Sequence, residues 1–576
     1  MPRSDVSAPA VANAPAAVSP RPAAGNASRL EWLPLAVVIA AQLLPLLLLP
    51  YVPTQDGPSH QALAYALRIY DRPEGAPLRQ YLVPNSEALP NWFVFFLQAK
   101  VLGFVSVAAA EKILIAAYVV LLPLGLRYAL RAVDPRAGFL AALGLPFTYN
   151  FLFGMGFLNF CWSLAAFLFA FGFYWRRRER FRARDVLPMT LLAAWVYFCH
   201  PVTLVMLLLA VGTAGGCQVL ADVRTSPRRG GAWWGTARER LFLPLLSFVP
   251  VVALLLAFVG RRLDRPTSQL GFLVKAKHLL ALYSLVSFDR RILIVSCGLA
   301  ATMAVLVGAF VWRRRDEAAL RPRADDALLV VAALFTIVYL AAPSELAGGG
   351  FVNHRLALFP PLALLLWLGT ARWSSRWRWA AQAIGSALAI GVLALLWARW
   401  SRIDRYLDEY VAVAEHVEDG RTVLPLAFAP AGCELARDGK CEELAFRLWP
   451  FVHALGYVAG RRPIVDLGLY EAGEDYFPLR YRPELDPYRH LSVGKLGMEE
   501  VPPRVDVATY ERHGGHVDYV LLWQARAAPR ENALTRELFR QLTDSFQRSC
   551  VSAEGNAELW QARGSRLRSA PQAARP

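Results

Sequence analysis

Long apolar runs separated by short polar connections fill most of the chain between residues 30 and 400. A membrane-crossing helix needs about 20 apolar residues, with ~17 at the lower limit, so the pattern predicts about eleven transmembrane helices. The first is expected at Leu33 to Leu49, and the others at residues 108–130, 137–151, 157–175, 186–199, 202–221, 241–260, 291–312, 326–342, 356–371 and 379–399. Several runs are short, which indicates tilted or broken helices around a cavity.

Two local features fix the boundaries of these runs. The first run is followed by PYVPTQD without an evident small-residue cleavage site, which favours an uncleaved span over a signal peptide. The apolar stretch 186–221 is expected to break at His200-Pro201, because proline removes a helix hydrogen bond.

The pattern changes after Trp400, where no apolar run is long enough to span a membrane. DRYLDEYVAVAEHV (404–417) is expected to form an amphipathic helix, RTVLPLAF and VDYVLLW buried strands, and ENALTRELFRQLTDSF a helix. Residues 401–565 are therefore predicted to be a soluble α/β domain after a membrane domain at 30–400. The Ala/Pro/Ser-rich residues 1–29 and the end, 566–576, are expected to be disordered tails.

Composition and charge support a membrane protein. Hydrophobic residues make up 56% of the 576 and charged residues 19%, with a net charge of +17, which argues against a disordered chain or an ordinary cytosolic enzyme. With the amino terminus in the cytoplasm, the basic runs 175–185 and 312–315 are cytoplasmic, while the opposite connections 150–156 and 199–201 lack Lys and Arg. This asymmetry supports that orientation and explains the net charge by topology rather than by a nucleic-acid partner, and the odd number of spans places the carboxy-terminal domain on the outer side. Residues 261–291 break the rule, since they are basic and predicted to lie outside.

The cysteines give no metal-binding spacing. Cys433 and Cys441 lie in a polar stretch, GCELARDGKC, and form a candidate disulfide if that stretch is extracytoplasmic.

Residues 50–71, PYVPTQDGPSHQALAYALRIYD, carry the clearest candidate chemistry. Pro53 and Pro58 stiffen the segment, and Asp56 lies just past the first span before a predicted helix. The spacing leaves two interpretations open. Asp56 and Ser59 either cap that helix, where a carboxylate is favoured electrostatically, or belong to a functional site.

One early helix, a PTQDGPSH motif in the first outer loop (52–107), many later helices and an outer carboxy-terminal domain together resemble the GT-C superfamily of integral-membrane glycosyltransferases. The bacterial relatives of the protein O-mannosyltransferases and the lipid A aminoarabinose transferases are the comparison. The family often places short interfacial helices in this loop, and NWFVFFLQAKVLGF (91–104) fits one. The resemblance implies a bacterial inner-membrane enzyme with a periplasmic carboxy-terminal domain. It also implies a sugar donor on a polyprenyl phosphate, a periplasmic acceptor, an inverting transfer, and Asp56 as the catalytic base. Gln55 precedes Asp56, so no paired-carboxylate motif supports a divalent metal, and no cofactor is assigned.

A leaving phosphate needs cationic stabilisation. Arg355 is the first candidate, in GGGFVNHRLALFPP, beside His354. The basic outer segment adds Arg261, Arg262, Lys275, Lys277, Arg290 and Arg291. The alternative is that the outer basic residues are anchors that contact lipid headgroups, and that residues 353–355 only cap the following span.

Two histidines are candidates for orienting the site. His60 is one helical turn from Asp56, and His200 lies at the predicted outer break before Pro201. A histidine that only satisfies the broken backbone explains His200 equally well. Two other functions stay open: a non-catalytic flippase for a lipid-linked intermediate, and a membrane scaffold or sensor. A convergence of Asp56, Arg355 and the 261–291 cations on one outer cavity would favour the enzyme.

Overall fold

The computed structural model describes residues 25–225, 232–262, 267–315, 324–346, 348–430, 432–437, 440–494 and 497–564. Residues 1–24 of the predicted amino-terminal tail and the predicted tail 566–576 lie outside them.

Helices dominate up to residue 414. The α-helices of this part are α1 (Gly25–Leu48), α2 (Gly57–Ile69), α3 (Ala76–Tyr81), α4 (Phe93–Phe96), α5 (Val107–Val133), α6 (Phe151–Gly154), α7 (Leu158–Arg177), α8 (Ala183–Cys199), α9 (Pro201–Thr225), α10 (Ala232–Ala237), α11 (Leu243–Leu246), α12 (Val249–Gly260), α13 (Phe272–Leu280), α14 (Ile292–Arg314), α15 (Ala327–Ala341), α16 (Val352–Leu356), α17 (Phe359–Leu368) and α18 (Ser375–Ala414). The 3₁₀-helices are Pro73–Gly75, Ala137–Phe147, Tyr283–Leu285 and Ala324–Asp326, and the π-helical turns are Leu97–Val101 and Arg238–Phe242.

Five helices in the described part of the chain are long and apolar enough to cross a membrane: Val107–Val133, Leu158–Arg177, Pro201–Val223, Ile292–Arg314 and Ser375–Ala414. A sixth span forms if Trp234–Leu246 and Val249–Gly260, bent by 47°, count as one. Four shorter apolar helices accompany them, namely Trp32–Leu48, Ala137–Phe147, Ala327–Ala341 and Val352–Leu368. The predicted count of eleven spans is not confirmed.

The individual apolar runs nevertheless correspond closely to helices. The predicted break at His200 is present, with α8 ending at Cys199 and α9 starting at Pro201. The predicted span at 137–151 differs, because it is an 11-residue 3₁₀-helix, Ala137–Phe147. At about 2 Å of rise per residue it covers ~22 Å, which is less than the hydrocarbon core. The run contains Gly138, Gly144 and Pro146, all poor residues for an α-helix.

The carboxy-terminal part is a mixed α/β structure. Its strands and helices are β2 (Thr422–Ala427), β3 (Leu435–Arg437), β4 (Lys440–Glu442), α19 (Gly456–Ala459), β5 (Val465–Asp466), α20 (Tyr470–Gly473), β6 (Leu479–Tyr481), α21 (Pro487–His490), α22 (Val507–Arg512), β7 (Tyr519–Trp523), α23 (Ala533–Ser545), β8 (Phe546–Val551) and β9 (Ala557–Ala562), with a 3₁₀-helix at Ala525–Ala527. Five strands form one sheet in the order β5-β2-β7-β9-β8, parallel from β5 to β7 and antiparallel beyond. The predicted strands RTVLPLAF and VDYVLLW are its central pair β2 and β7, which confirms them.

Two connections join this part to the helices. Strand β1 (Leu82–Pro84) of the first loop pairs antiparallel with β6. The predicted helices at 379–399 and 404–417 are one continuous helix, α18, because ARWSRIDRY between them contains no proline or glycine. The boundary at residue 400 therefore marks a change of composition inside a helix.

Candidate active site

Asp56 lies in a turn that two backbone hydrogen bonds hold in place. The amides of Gln55 and Asp56 donate to the carbonyls of Gly154 and Met155, each at 3.0 Å. Gly156 follows with φ +89°, and a Cβ there would lie only 2.6 Å from the Gly57 nitrogen. The loop after α6 thus packs directly against the backbone of the Asp56 turn.

The carboxylate of Asp56 does not cap the helix that follows it. Asp56 occupies the position before α2, but its side chain makes no capping hydrogen bond. The capping interpretation of this residue is therefore wrong. Instead, the Tyr470 hydroxyl donates to Oδ2 at 2.9 Å, while Oδ1 is buried and has no hydrogen-bond partner. The nearest ring nitrogen to Oδ1 is His453 Nε2, at 4.0 Å.

The surroundings of Asp56 favour its protonated form more than water does. Burial raises the pKa of Asp56 to about 7 and Glu499 adds to the effect, while the Tyr470 hydroxyl, the Gln55 side chain and the Arg355 charge act in the opposite direction. A carboxylate whose pKa lies near neutrality is suited to accept a proton during a reaction.

A second carboxylate, Glu471, lies beside the first turn of α2. Ser59 Oγ donates to Glu471 Oε2, and His60 Nε2 lies 3.3 Å from Oε1 without hydrogen-bond geometry. Burial raises the pKa of Glu471 well above its usual range and lowers the pKa of His60 to about 4. Burial thus disfavours the charged form of each of these two side chains. His60 therefore lies beside Glu471, a residue that the sequence analysis did not predict to be part of the site.

Arg355 is a buried cation that interacts electrostatically with Asp56. It lies in α16 with its guanidinium carbon 4.8 Å from the Phe157 ring centre. One guanidinium nitrogen donates to the Gly350 carbonyl, while Nε is buried without a hydrogen-bond partner. Arg355 is thus a desolvated cation with donor capacity left over, next to a carboxylate.

The neighbouring histidines have defined contacts of their own. His354 Nε2 lies 2.5 Å from Arg447 Nη2, and its ring packs 4.9 Å from that of Phe151. His200 accepts a hydrogen bond from the Val202 amide at 3.2 Å, as expected for a residue that satisfies the broken backbone. It also interacts electrostatically with Arg355.

Most of the candidate cations of the basic outer segment have partners within the chain. Four of its arginines are in ion pairs: Arg261 with Glu87 at 2.7 Å, Arg262 with Asp475 at 3.2 Å, Arg290 with Glu443 at 2.7 Å and Arg291 with Asp289 at 2.8 Å. Lys275 is buried and donates to the Leu340 and Ala342 carbonyls. Lys277 lies on the short helix α13. Four of these cations are thus paired with carboxylates, and a role of the segment in phosphate binding stays a prediction.

Three site residues escaped sequence reasoning, namely His453, Tyr470 and Glu471. They lie about 400 residues from Asp56 in the chain. The carboxy-terminal part reaches the turn through further contacts, since the Trp449 amide donates to Gln55 Oε1 at 3.0 Å and Tyr457 Oη donates to the Val52 carbonyl at 2.9 Å.

In the ranges that the structure describes, no cluster of three or more His, Cys, Asp or Glu residues is arranged to hold a metal ion. Cys433 and Cys441 are joined in a disulfide, with their Cα atoms 4.8 Å apart.

The fold resembles that of a solved structure, the crystal structure of ArnT from Cupriavidus metallidurans bound to undecaprenyl phosphate. The match has a TM-score of 0.52 at 12% identity and covers 95% of this chain and 100% of that one. A scan against protein-family models and a search of the curated proteins find no match. The likeness shows that this chain shares the fold of that structure, as the sequence resemblance predicted, and the described apolar helices indicate a multi-pass membrane protein.

Proposed function

We propose that this membrane protein is a glycosyltransferase that moves a sugar from a polyprenyl-phosphate carrier to a periplasmic acceptor hydroxyl. The observation that carries the proposal is the Asp56 carboxylate: it is 4% exposed, has one oxygen free of hydrogen bonds and interacts electrostatically with the buried cation Arg355. The fold shared with a protein crystallised with undecaprenyl phosphate supports a lipid-linked donor.

In the proposed reaction Asp56 is the general base. As the acceptor oxygen attacks the anomeric carbon, its proton passes to the carboxylate, and the bond from that carbon to the phosphate oxygen breaks. The electron pair leaves with the polyprenyl phosphate, and Arg355 stabilises the added negative charge. A single displacement of this kind inverts the anomeric centre.

Electrostatics at the site fit these roles. A base with a pKa near 7 is about half ionised at neutral pH, and a positive charge in a water-poor site stabilises developing anionic charge more strongly than it does in water. His354, Arg261, Arg262, Lys275, Lys277, Arg290 and Arg291 are not needed for this proposal.

The test is turnover of the full-length protein in liposomes with a panel of undecaprenyl-phosphate sugars, followed by mass spectrometry of the lipid and acceptor products. Asp56→Asn is expected to lower turnover at least a hundredfold while the protein still inserts. Asp71→Asn, an exposed carboxylate of the same loop, is the matched control and should be fully active. Undiminished transfer by Asp56→Asn would overturn the assignment, whereas translocation of the lipid without a new glycosidic bond would identify a flippase.

A further inference from the structure

Tyr470 approaches Asp56 from the carboxy-terminal part of the chain. Its hydroxyl lies 2.9 Å from Oδ2, and Oδ1 of the same carboxylate has no hydrogen-bond partner. The two oxygens of Asp56 are therefore inequivalent before any substrate binds. A donor to one oxygen restricts the rotation of a carboxylate and makes that oxygen less basic, so the oxygen without a partner is the stronger proton acceptor.

We infer that Tyr470 is a positioning residue for Asp56, holding Oδ2 so that Oδ1 is the oxygen that receives the acceptor proton. The inference rests on the proposed function and adds which oxygen reacts and what orients it. The proton leaves the acceptor hydroxyl and bonds to Oδ1, while the hydrogen of Tyr470 stays on its own oxygen. Tyr470 itself forms and breaks no bond in the reaction.

The Tyr470 ring is held by its neighbours. Its centre lies 5.0 Å from the His453 ring and 6.2 Å from the Phe477 ring, the latter in an edge-to-face arrangement. The next residue, Glu471, is bound independently by Ser59. Removal of the tyrosine hydroxyl therefore leaves both the ring packing and the attachment of this segment to α2 in place, so Tyr470→Phe is expected to fold.

Several other charged or titratable groups face Asp56. His453, Glu471 and Glu499 come from the carboxy-terminal part and Arg355 from α16, as their contacts and electrostatic interactions show. The Glu111 side chain of α5 comes within 3.1 Å of the Cβ position of Gly57. None of these groups donates a hydrogen bond to Oδ1. Burial lowers the pKa of His453 to about 3, so its ring is neutral at pH 7. Tyr470 is thus the donor from the carboxy-terminal part that contacts Oδ2 directly, while the Gln55 side chain of the turn itself also lowers the pKa of Asp56.

A hydrogen bond to the ionised form lowers the pKa of a carboxyl group, so its loss raises that pKa. If Tyr470→Phe raises the pKa of Asp56 by about one unit from about 7, the ionised fraction at pH 7 falls about fivefold. The expected result is a roughly fivefold lower kcat at pH 7 with little change in KM. The acid limb of the kcat profile moves up by about one pH unit, and the rate recovers at higher pH.

The experiment measures two quantities on the full-length protein. The first is kcat against pH, with an undecaprenyl-phosphate sugar that the wild type turns over. The second is the pH titration of the Asp56 carboxyl band by infrared difference spectroscopy, where that band is identified by its loss in Asp56→Asn. The titration is independent of turnover. Tyr510→Phe is the matched control, since its buried hydroxyl donates to the Leu485 carbonyl at 3.0 Å.

The outcomes separate this inference from the function itself. The positioning role is supported if Tyr470→Phe raises both the midpoint of the kcat–pH profile and the midpoint of the carboxyl titration. Tyr510→Phe should change neither midpoint. An unchanged carboxyl titration, or a pH-independent loss of kcat, overturns the positioning role even if Asp56→Asn is inactive. An active Asp56→Asn overturns the proposed function instead.

Discussion

Arg262 forms an ion pair with Asp475, which links the carboxy-terminal end of α12 to the segment that carries Tyr470. Arg262 Nη2 lies 3.2 Å from Asp475 Oδ1, and Nη1 donates to the Phe258 carbonyl at 2.9 Å. The Arg262 side chain is only 3% exposed, so water screens its charge weakly. The pair ties residues 470–477 to a helix of the membrane part.

We expect Arg262→Gln to loosen this segment and lower turnover. A charge-assisted contact with one partly exposed partner is worth about 1 kcal/mol, which corresponds to roughly a fivefold effect. The measurement is a double-mutant cycle with Asp475→Asn, using turnover and protease cleavage near residue 475. Additive effects of the two substitutions would show that the pair does not act as a unit. Arg291→Gln, which removes an exposed arginine of the same segment, is the control.

This pair also shows what charge counting misses. The basic outer segment was predicted to bind phosphate because it contains many cations. The number of cations in a segment does not reveal which carboxylates they pair with in the folded chain. Glu87, Glu443 and Asp475 pair with Arg261, Arg290 and Arg262 across 153 to 213 residues of chain. Only the folded structure brings these charges together, so the phosphate hypothesis for this segment had no local signal that could test it.

The local signals were more informative for the helices and for Asp56. Apolar run length located most helices, and Pro201 marked a real break, because both depend on neighbouring residues alone. Asp56 was predicted as a candidate site residue from its place after the first apolar run. Tyr470 and Glu471 were not predicted, because their role depends on docking of the carboxy-terminal part onto α2. A buried carboxylate in YEAGED is indistinguishable in sequence from a surface one.

Asp466 is expected to make stability depend on pH. Burial raises its pKa from 3.8 to about 7, against a hydrogen bond from the Gly468 amide. The folded state therefore holds this proton between about pH 4 and 7 while the unfolded state loses it. Stability falls through that window as pH rises, by at most about 1.4 kcal/mol per unit.

Asp466→Asn removes this contribution and keeps an oxygen for the Gly468 amide. The unfolding temperature in detergent, measured at pH 5 and pH 7.5, should fall less in the variant than in the wild type. Asp71→Asn, an exposed carboxylate, should keep the wild-type difference. An equal fall in Asp466→Asn and wild type would contradict the buried-proton account.

The disulfide joins Cys433, two residues before β3, to Cys441 in the middle of β4. We expect both thiols to resist alkylation in protein isolated without reductant and to react after reduction, as detected by peptide mass spectrometry. The double variant Cys433→Ser/Cys441→Ser should lose about 2.5 kcal/mol at most, since the closed loop is short. Alkylation of both residues in intact cells would place this part of the chain in a reducing compartment and contradict the periplasmic prediction.

Gly156 offers a test of the turn itself. Its φ of +89° is strained for any residue with a Cβ, and that Cβ would meet backbone atoms, at 2.6 Å from the Gly57 nitrogen and 3.0 Å from Asp56. Backbone cannot move aside as a flexible side chain does, so Gly156→Ala should displace the Asp56 turn. We expect at least a tenfold loss of turnover in a protein that still inserts.

Gly216→Ala is the matched control for this substitution. Gly216 lies within α9, and a Cβ there meets nothing within 4 Å, so alanine should be neutral or slightly stabilising. Turnover and unfolding temperature are measured for both variants. If Gly156→Ala kept full turnover, the position of the 56–57 backbone would not matter for catalysis. If the loss of turnover in Gly156→Ala were accounted for by a smaller amount of folded protein, the glycine would serve folding rather than the placement of Asp56.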